Sequence, residues 1–530
     1  MSYDMYEPLV TNVGPAGSPG LTLFFATCCI VDLFGVFPVI ALPRAIVECG
    51  WMGIPLALVI FFIQIYTAIM LGRCWLISES ISPEISSKRR YPYAAIAELA
   101  YGRNAGRYVN VLLGLTIFGG SVPNLLVAAQ NLQLIGLKIT EYSMDFPYCY
   151  WIIILGAVCC PIMWIGSPKD LKWLGFGSVF IVLTSSALTY YCLLSSPGPD
   201  VPFIPDFNWE NLAIAYGILA FQFDVHPMIL TVQMDMKNKN QLGIAILLAF
   251  IDDGTLFMIT TVICYNLYGT EVHYNTLQGL PASTALHVDM VLVTLQIVLS
   301  TVVGASPLFQ GLEDLFDISP GLSWQRCVLR TSVVIGIVAV GEVVPRFDLI
   351  MSLIGAVLMG QLMFLVPPVV YVKLRKMQMD FSLSSQPSPA PPRRFFGYGT
   401  VGLALRPEDS ALLEYHGRAD VADSHPRLPS GDGTRSPSRR RMSPGLPPVS
   451  RPHTTLDSIS DLFRLDAWAD RPIPLTVCEK SSCFLLVLSG LVATATSTYF
   501  AVLGTLEYAN FAPPCIINVT LASRLIYDQL

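Results

Sequence analysis

Eleven long runs of apolar residues constrain the fold of this chain more than any other feature of its sequence. Each run can cross the roughly 30 Å hydrocarbon core of a bilayer as a helix. The chain is 53% hydrophobic and 13% charged over 530 residues, whereas soluble domains carry about 25% charged residues. We therefore predict an all-α, multi-pass membrane protein. The predicted helices cover 21–45, 53–77, 109–136, 149–166, 173–195, 211–232, 243–268, 288–311, 327–345, 347–372 and 482–505.

The basic residues predict the orientation of these helices. With the N-terminus in the cytosol, only four of the 32 Lys and Arg residues fall on the outer side, namely Arg44, Lys138, Arg346 and Arg524. This asymmetry follows the rule that cytosolic loops carry the excess of positive charge. An odd number of helices then places the C-terminus outside or in a lumen, where Asn518 lies in a glycosylation sequon.

Composition divides the chain into five segments. We predict a cytosolic N-terminal tail (1–20), a ten-helix core (21–372), a disordered cytosolic loop (373–480), an eleventh helix (481–505) and an outer or lumenal C-terminal tail (506–530). The 373–480 loop is rich in Pro, Ser and Arg, so it cannot bury enough apolar surface to fold. We expect it to bind cytosolic regulators. Cys49, Cys149 and Cys515 fall on the outer side and allow one disulfide, whose pairing the sequence leaves open.

Two of the predicted helices contain residues that break a helix. The first carries Gly35, Pro38 and Pro43, and the sixth carries Asp224-Val225-His226-Pro227. Backbone groups freed inside a bilayer need a cavity lined by protein, because lipid offers no hydrogen bonds. Breaks that open both halves of a ten-helix repeat are typical of carriers with a binding site near the midplane.

Five stretches of the sequence, in order and in register, resemble the amino acid/auxin permease family of eleven-span amino acid transporters. They lie at 40–45 with 50–51, at 91–102, at 221–226 with 233–237, at 306–308 and at 365–368. The resemblance implies a LeuT-type fold, a 5+5 inverted repeat plus one extra helix, that transports amino acids by alternating access. It departs from the family pattern at the first break, where Val36 and Pro38 stand at positions that are usually small.

In the resembling fold, the two breaks bind the substrate. The exposed ends of the half-helices attract its carboxylate and ammonium groups. The resemblance therefore implies a substrate site formed by seven residues, for which aromatic packing is an alternative role of the three phenylalanines. These residues are Gly35, Val36, Phe37, Pro38, Phe221, Gln222 and Phe223.

Ionisable and hydroxyl side chains within the apolar runs are candidates for ion coupling. A charge at mid-membrane costs about 2.5–3.5 kcal/mol on the insertion scale, so such a group usually has a function or a partner. The candidates are Asp32, Asp224, His226, Asp252, Asp253, Ser300 and Thr301. Each also has a structural interpretation, as a helix cap, an interhelical hydrogen bond or a bond to its own backbone. The acids and the histidine favour H⁺ as the coupling ion, with Na⁺ as the alternative.

The sequence contains no phosphate-binding loop, metal-spaced Cys/His cluster or nucleophile motif, so we expect neither an enzyme nor a cofactor. No organised basic and aromatic face suggests nucleic-acid binding. The partners expected are an amino acid and the lipid bilayer. A non-transporting amino acid sensor is the alternative function, because fold does not fix function. The sequence does not distinguish the plasma membrane from endolysosomal or vesicular membranes.

Overall fold

A computed structural model of the chain describes residues 20–87, 91–140, 146–164, 171–196, 198, 203–319, 321–344, 346–384 and 475–508. The predicted N-terminal tail, most of the predicted 373–480 loop, and the C-terminal tail with Asn518 and Cys515 lie outside these residues. The described residues all belong to one compact unit.

The described residues form seventeen α-helices, joined by short turns and 3₁₀ segments. Apolar side chains cover most helices on all sides, as expected of helices buried in lipid or in a bundle. The helices are α1 (Leu23–Phe34), α2 (Phe37–Ile40), α3 (Pro43–Glu48), α4 (Gly53–Ile81), α5 (Pro92–Tyr101), α6 (Arg103–Ile139), α7 (Tyr148–Trp164), α8 (Leu171–Ser195), α9 (Trp209–Gln222), α10 (His226–Asp235), α11 (Leu242–Leu267), α12 (Thr284–Gly304), α13 (Ser306–Leu315), α14 (Trp324–Val343), α15 (Phe347–Ile354), α16 (Val366–Ser384) and α17 (Val477–Tyr508).

Polar side chains fix where several of these helices begin. The side chains of Thr22, Asn208, Ser283 and Ser323 accept hydrogen bonds from backbone N–H groups in the first turns of α1, α9, α12 and α14. Such caps satisfy donors that have no partner within the helix. Two π-helical turns, Gly355–Met359 and Gln361–Leu365, connect α15 to α16.

The described residues contain nine helical segments that are long and apolar enough to cross a membrane. Each of the other two predicted spans also falls on a helix. One is the shorter apolar helix α7, and the other is α14, which is not among the nine. The all-helical membrane fold is thus confirmed, whereas the count of eleven and the inverted repeat remain predictions. Helix α16 extends to Ser384 and α17 begins at Val477, so both edges of the predicted loop are helical.

The two interrupted helices lie inside the bundle. Helix α1 packs against α8 and α11, while α9 packs against α15 and α17. Leu21 and Met236 form a parallel β-bridge, which joins the start of α1 to the end of α10. Both interrupted helices therefore have a fixed end, and their breaks lie among buried neighbours.

Candidate functional site

The first break lies at Gly35, between α1 and α2. Gly35 has φ 64° and ψ −155°, a conformation that essentially only glycine adopts. A Cβ atom there would lie 2.6 Å from Nε2 of Gln296, a distance that no real Cβ contact shows. Glycine is therefore required by backbone conformation and by space.

Side chains from other helices satisfy the backbone groups that this break frees. The N–H of Val36 donates to Oε1 of Gln296 at 3.3 Å. Nε2 of Gln222 donates to the carbonyl of Phe34 at 2.8 Å. The break is a built feature of the fold, because α9 and α12 each supply a partner for it.

The second break lies at Phe223, Asp224 and Val225, between α9 and α10. The N–H of His226 donates to Oδ1 of Asp224 at 3.1 Å, so Asp224 caps the start of α10. The same oxygen lies 3.1 Å from Nδ1 of His226, and both side chains are at most 1% exposed. The other oxygen, Oδ2, is buried and has no hydrogen-bond partner among the described residues.

His226 can keep its hydrogen bonds in both of its charge states. Its Nε2 atom lies 3.0 Å from Oγ1 of Thr67, which also lies 2.9 Å from the carbonyl of Ile63. A hydroxyl group both donates and accepts. Thr67 can therefore donate to a neutral His226, or accept from a protonated one while it donates to Ile63.

A central cavity of about 140 Å³ lies between the two breaks. Pockets for drug-sized ligands usually measure about 300–1,000 Å³, so this one suits a solute no larger than an amino acid. Seven of the fourteen residues that the sequence singled out line it. These are Gly35, Phe37, Phe221, Gln222, Asp224, Ser300 and Thr301.

Asp32, His226 and Val36 contact residues of the cavity wall without lining the cavity. The carboxyl group of Asp32 lies near Ser178 and Gln296. Oγ of Ser300 donates to the backbone carbonyl of Asp32 at 3.1 Å.

Four of the predicted residues lie elsewhere. Pro38 is buried in α2. Phe223 is fully buried in an aromatic cluster, with its ring centroid 5.4 Å from Phe34 and 4.3 Å from Phe61. Asp252 and Asp253 lie on α11, away from the cavity. Asp253 is fully buried, and neither of its oxygens has a hydrogen-bond partner in the described part of the chain.

Sequence reasoning missed the residues that join the two breaks to the rest of the bundle. Gln296 contacts Val36 and Ser178, and Thr67 contacts His226. Asn124 and Ser121 of α6 also line the cavity. Gln296 and Asn124 are uncharged amides in apolar runs, so a search of such runs for amides would have found them.

The end of the bundle predicted to face outward is closed by the α11–α12 loop (residues 268–283). Arg44 donates to the carbonyls of Thr270 and Val272, and Lys138 donates to those of Gln278 and Leu280. The N–H of Thr276 donates to the carbonyl of Ile40 at 2.8 Å.

Two arginines also flank an aromatic ring of this loop. The guanidinium carbons of Arg44 and Arg346 lie 5.1 and 5.0 Å from the ring centroid of Tyr274. Contacts of this kind attract a cation to the face of a ring. Three of the four outer basic residues thus hold the same loop.

His273 of this loop lies in a positive environment. Its ring packs on Gly279, where an added Cβ atom would lie 2.5 Å from Cδ2 of the imidazole. Burial, together with the charges of Arg44 and Lys138, lowers the pKa of His273 below its ordinary value. The closed loop therefore favours the neutral imidazole.

Comparisons with known proteins identify similar chains. Residues 23–381 match a family described as "Transmembrane amino acid transporter protein". Amino acid transporter AVT1D of Arabidopsis thaliana is 26% identical over 356 residues, which cover 64% of this chain and 61% of that relative. Amino acid transporter AVT1I of the same plant is 22% identical over 388 residues, which cover 71% of this chain and 90% of that relative. Vacuolar amino acid transporter 3 of Schizosaccharomyces pombe is 21% identical over 301 residues, which cover 54% of this chain and 45% of that relative.

Proposed function

The chain belongs to the family of transmembrane amino acid transporter proteins, and on this premise we propose that it is a secondary active carrier of amino acids, coupled to H⁺. The family consists of transporters and not of enzymes. The observation that carries the proposal is the pair of interrupted helices, α1–α2 and α9–α10, on either side of one small cavity. Two broken helices around a midplane cavity are the arrangement through which such carriers bind substrate.

The free oxygen of Asp224 supports an amino acid as the substrate. Asp224 lines the cavity, and its Oδ2 atom has no hydrogen-bond partner among the described residues. An ammonium group is a strong donor to a buried carboxylate. We place the substrate ammonium at Asp224 and its carboxylate at the first break, beside Gly35. Phe37 and Phe221 then face the substrate side chain.

The pair of Asp224 and His226 supports H⁺ as the coupling ion. An imidazole ring can bind and release a proton, and it forms hydrogen bonds in both charge states. The positions of Asp224 and Thr67, on its two ring nitrogens, accommodate either charge state without breaking a hydrogen bond. Proton binding at His226 can therefore alternate with substrate binding at the adjacent carboxylate.

Coupling to Na⁺ is the second candidate, and a specific observation favours it. Ser300 and Thr301 line the cavity, and Oγ of Ser300 lies 3.1 Å from the backbone carbonyl of Asp32. Hydroxyl, carbonyl and carboxylate oxygens are the ligands of hard cations. An Na⁺ ion would replace the hydrogen bond between Ser300 and Asp32.

The vacuolar transporter among the relatives and the closed outer loop suggest how the carrier works. The cavity includes Thr301, Gly304 and Ala305 at the end of α12 predicted to face the cytosol. The α11–α12 loop is bound to the bundle at the other end. This combination fits a cytosol-facing state of an alternating-access cycle. We propose that the protein moves amino acids across the membrane of an acidic organelle.

Uptake into proteoliposomes tests the proposal. Vesicles that contain the purified protein are given a labelled amino acid mixture under an inward H⁺ gradient without Na⁺, and separately under an Na⁺ gradient. We expect uptake that collapses when the H⁺ gradient is dissipated. Uptake that requires Na⁺ would favour the second candidate. Binding of amino acids without uptake under either gradient would overturn transport in favour of a sensor.

A further inference from the structure

A second buried carboxyl group lies between α8 and α12, outside the central cavity. Asp289 is fully buried on α12. Oγ of Ser185 donates to its Oδ1 atom at 2.5 Å, and Oγ1 of Thr189 donates to its Oδ2 atom at 2.7 Å. Within the described residues, no Lys, Arg or His forms an ion pair with Asp289. The transport mechanism proposed above does not use this group.

A buried carboxyl group is energetically unfavourable if its only role is to hold two helices together. Burying an ionised carboxylate without a counter-ion costs far more than burying a neutral polar group that is hydrogen-bonded. A neutral amide or hydroxyl would join α8 to α12 at lower cost. A carboxyl group that holds a proton avoids the penalty, and its two hydroxyl neighbours can donate to the anion or accept from the acid.

Asp289 aligns with the polar group that contains Asp32. Ser185 follows Ser178 by seven residues on α8, and Gln296 follows Asp289 by seven residues on α12. Seven residues are nearly two turns, about 10 Å along a helix, and they return to the same face. The α8–α12 contact therefore carries two polar layers, of which the second, Ser178 and Gln296, reaches Asp32.

On the side away from Asp32, the residues near Asp289 extend towards the α11–α12 loop. Cys192 of α8 lies near both Asp289 and Ser283. The next residue, Leu193, lines a cavity of about 330 Å³ beneath the α11–α12 loop, together with Glu271 and His273. This loop cavity is separate from the central cavity, because the two share no lining residue.

We propose that Asp289 is a proton-binding site of the transport cycle, which takes its proton from the loop cavity and not from the amino acid cavity. The inference rests on the H⁺ coupling proposed above. A hydronium ion gives its proton to a carboxylate oxygen and becomes water, while the hydroxyl that donated to that oxygen turns to accept. The reverse step releases the proton through water towards the layer at Asp32.

Replacement of Asp289 by Asn tests this assignment, because it keeps the size of the side chain and removes its proton site. Two activities are compared in proteoliposomes: H⁺ flux during uptake, read by a pH dye, and exchange of labelled for unlabelled amino acid without a gradient. We expect Asp289→Asn to keep exchange within about twofold of wild type and to lose H⁺ flux by at least about tenfold. Thr294→Val is the matched control, since Thr294 is a buried hydroxyl of α12 that bonds the carbonyl of Met290.

The outcomes separate this inference from the proposal on which it rests. Wild-type protein that exchanges amino acids without H⁺ flux would refute the coupling, and the role of Asp289 with it. Wild-type flux that persists in Asp289→Asn would refute the role of Asp289 alone. An equal loss of exchange and H⁺ flux would show that Asp289 only holds α8 and α12 together, and would refute its role in proton binding.

A second measurement applies if Asp289→Asn does not fold. Ser185→Ala with Thr189→Val keeps the carboxyl group but removes both hydroxyls. Infrared difference spectra between acid and neutral pH should then show a shifted carboxylic acid band relative to wild type. An unchanged spectrum would contradict proton binding at Asp289.

Discussion

At the scale of single residues, Gly35 is the position on which the first break depends most. Its backbone conformation costs a residue with a side chain of order 1–3 kcal/mol, and Gln296 occupies the space of a Cβ atom. We predict that Gly35→Ala lowers amino acid uptake at least about tenfold in protein that still reaches the membrane. Gly177→Ala is the matched control, because nothing lies within 4 Å of an added Cβ there. Normal uptake by Gly35→Ala would show that the break is not essential.

Asp224 combines two functions at the second break, a helix cap and a free acceptor. Asp224→Asn keeps the cap acceptor but removes the charge that attracts an ammonium group. A hydrogen bond to a charged group contributes about 1.5–3 kcal/mol, so we predict that the concentration for half-maximal uptake rises about ten- to a hundredfold. Asp206→Asn, at an exposed loop position, is the control. Equal half-maximal concentrations in wild type and Asp224→Asn would place the ammonium elsewhere.

We predict that His273 makes the contacts of the α11–α12 loop sensitive to pH. Its pKa is lowered in the closed state by burial and by Arg44 and Lys138, so protonation destabilises that state relative to one that exposes the imidazole. The closed loop is therefore most stable above the ordinary histidine pKa of about 6.5, and it weakens as the pH falls through that value.

Hydrogen exchange in the α11–α12 loop measures this sensitivity. After correction for intrinsic rates, the amide of Thr276, bonded to Ile40, should lose protection at pH 5.5 relative to pH 7.5. In His273→Gln the loss should be absent. An equal loss in both proteins would assign the effect to another group.

At the scale of helices, the sequence was sufficient to predict the two breaks. It was not sufficient to predict which residues hydrogen-bond to the backbone groups that the breaks free. Clusters of helix-breaking residues at 35–43 and 224–227 predicted both breaks, whereas the single prolines Pro123 and Pro161 lie inside continuous helices. The partners of the breaks were not predicted, because Gln296 and Gln222 meet Val36 and Phe34 across large sequence separations.

The contact between α9 and the π-helical turn that begins at Gly355 could not be predicted from the sequence either. A Cβ atom added to Gly355 would lie 1.8 Å from the carbonyl of Gly217, so the two backbones touch. Small residues permit such close packing in membranes. Neither glycine stands in a pattern that identifies its partner, since only the assembled bundle brings them together.

This contact holds the first half of the second interrupted helix in place. We predict that Gly355→Ala separates α9 from the π-helical turn Gly355–Met359 and lowers the melting temperature in detergent by several degrees, since overpacking costs about 1–3 kcal/mol. Gly321→Ala, with open space around an added Cβ atom, is the control. A melting temperature equal to that of the control would show that the backbones adjust without cost.

At the scale of the whole molecule, composition predicted the class and local motifs predicted the family, whereas the position of the site could be seen only in the folded structure. Apolar runs alone predicted a multi-pass helical protein. Five local motifs predicted the transporter family, and the match over residues 23–381 confirms it. Asp289 lies near the start of the predicted helix 288–311 and was not singled out, and its partners Ser185 and Thr189 could not be predicted, because they come from another helix.

The folded structure explains the positions of three basic residues at the end of the bundle predicted to face outward. Arg44, Lys138 and Arg346 are three of the four basic residues that the predicted orientation places outside, and each contacts the α11–α12 loop. Their positions, which orientation alone does not explain, are accounted for by the loop that they hold.

The most direct test of the account is an experimental structure of the protein with a bound amino acid that it carries, identified by uptake from the labelled mixture. The account predicts density for one amino acid in the central cavity, with its ammonium within hydrogen-bonding distance of Oδ2 of Asp224 and its carboxylate beside Gly35. Density confined to the loop cavity beneath residues 268–283, with the central cavity empty, would contradict it.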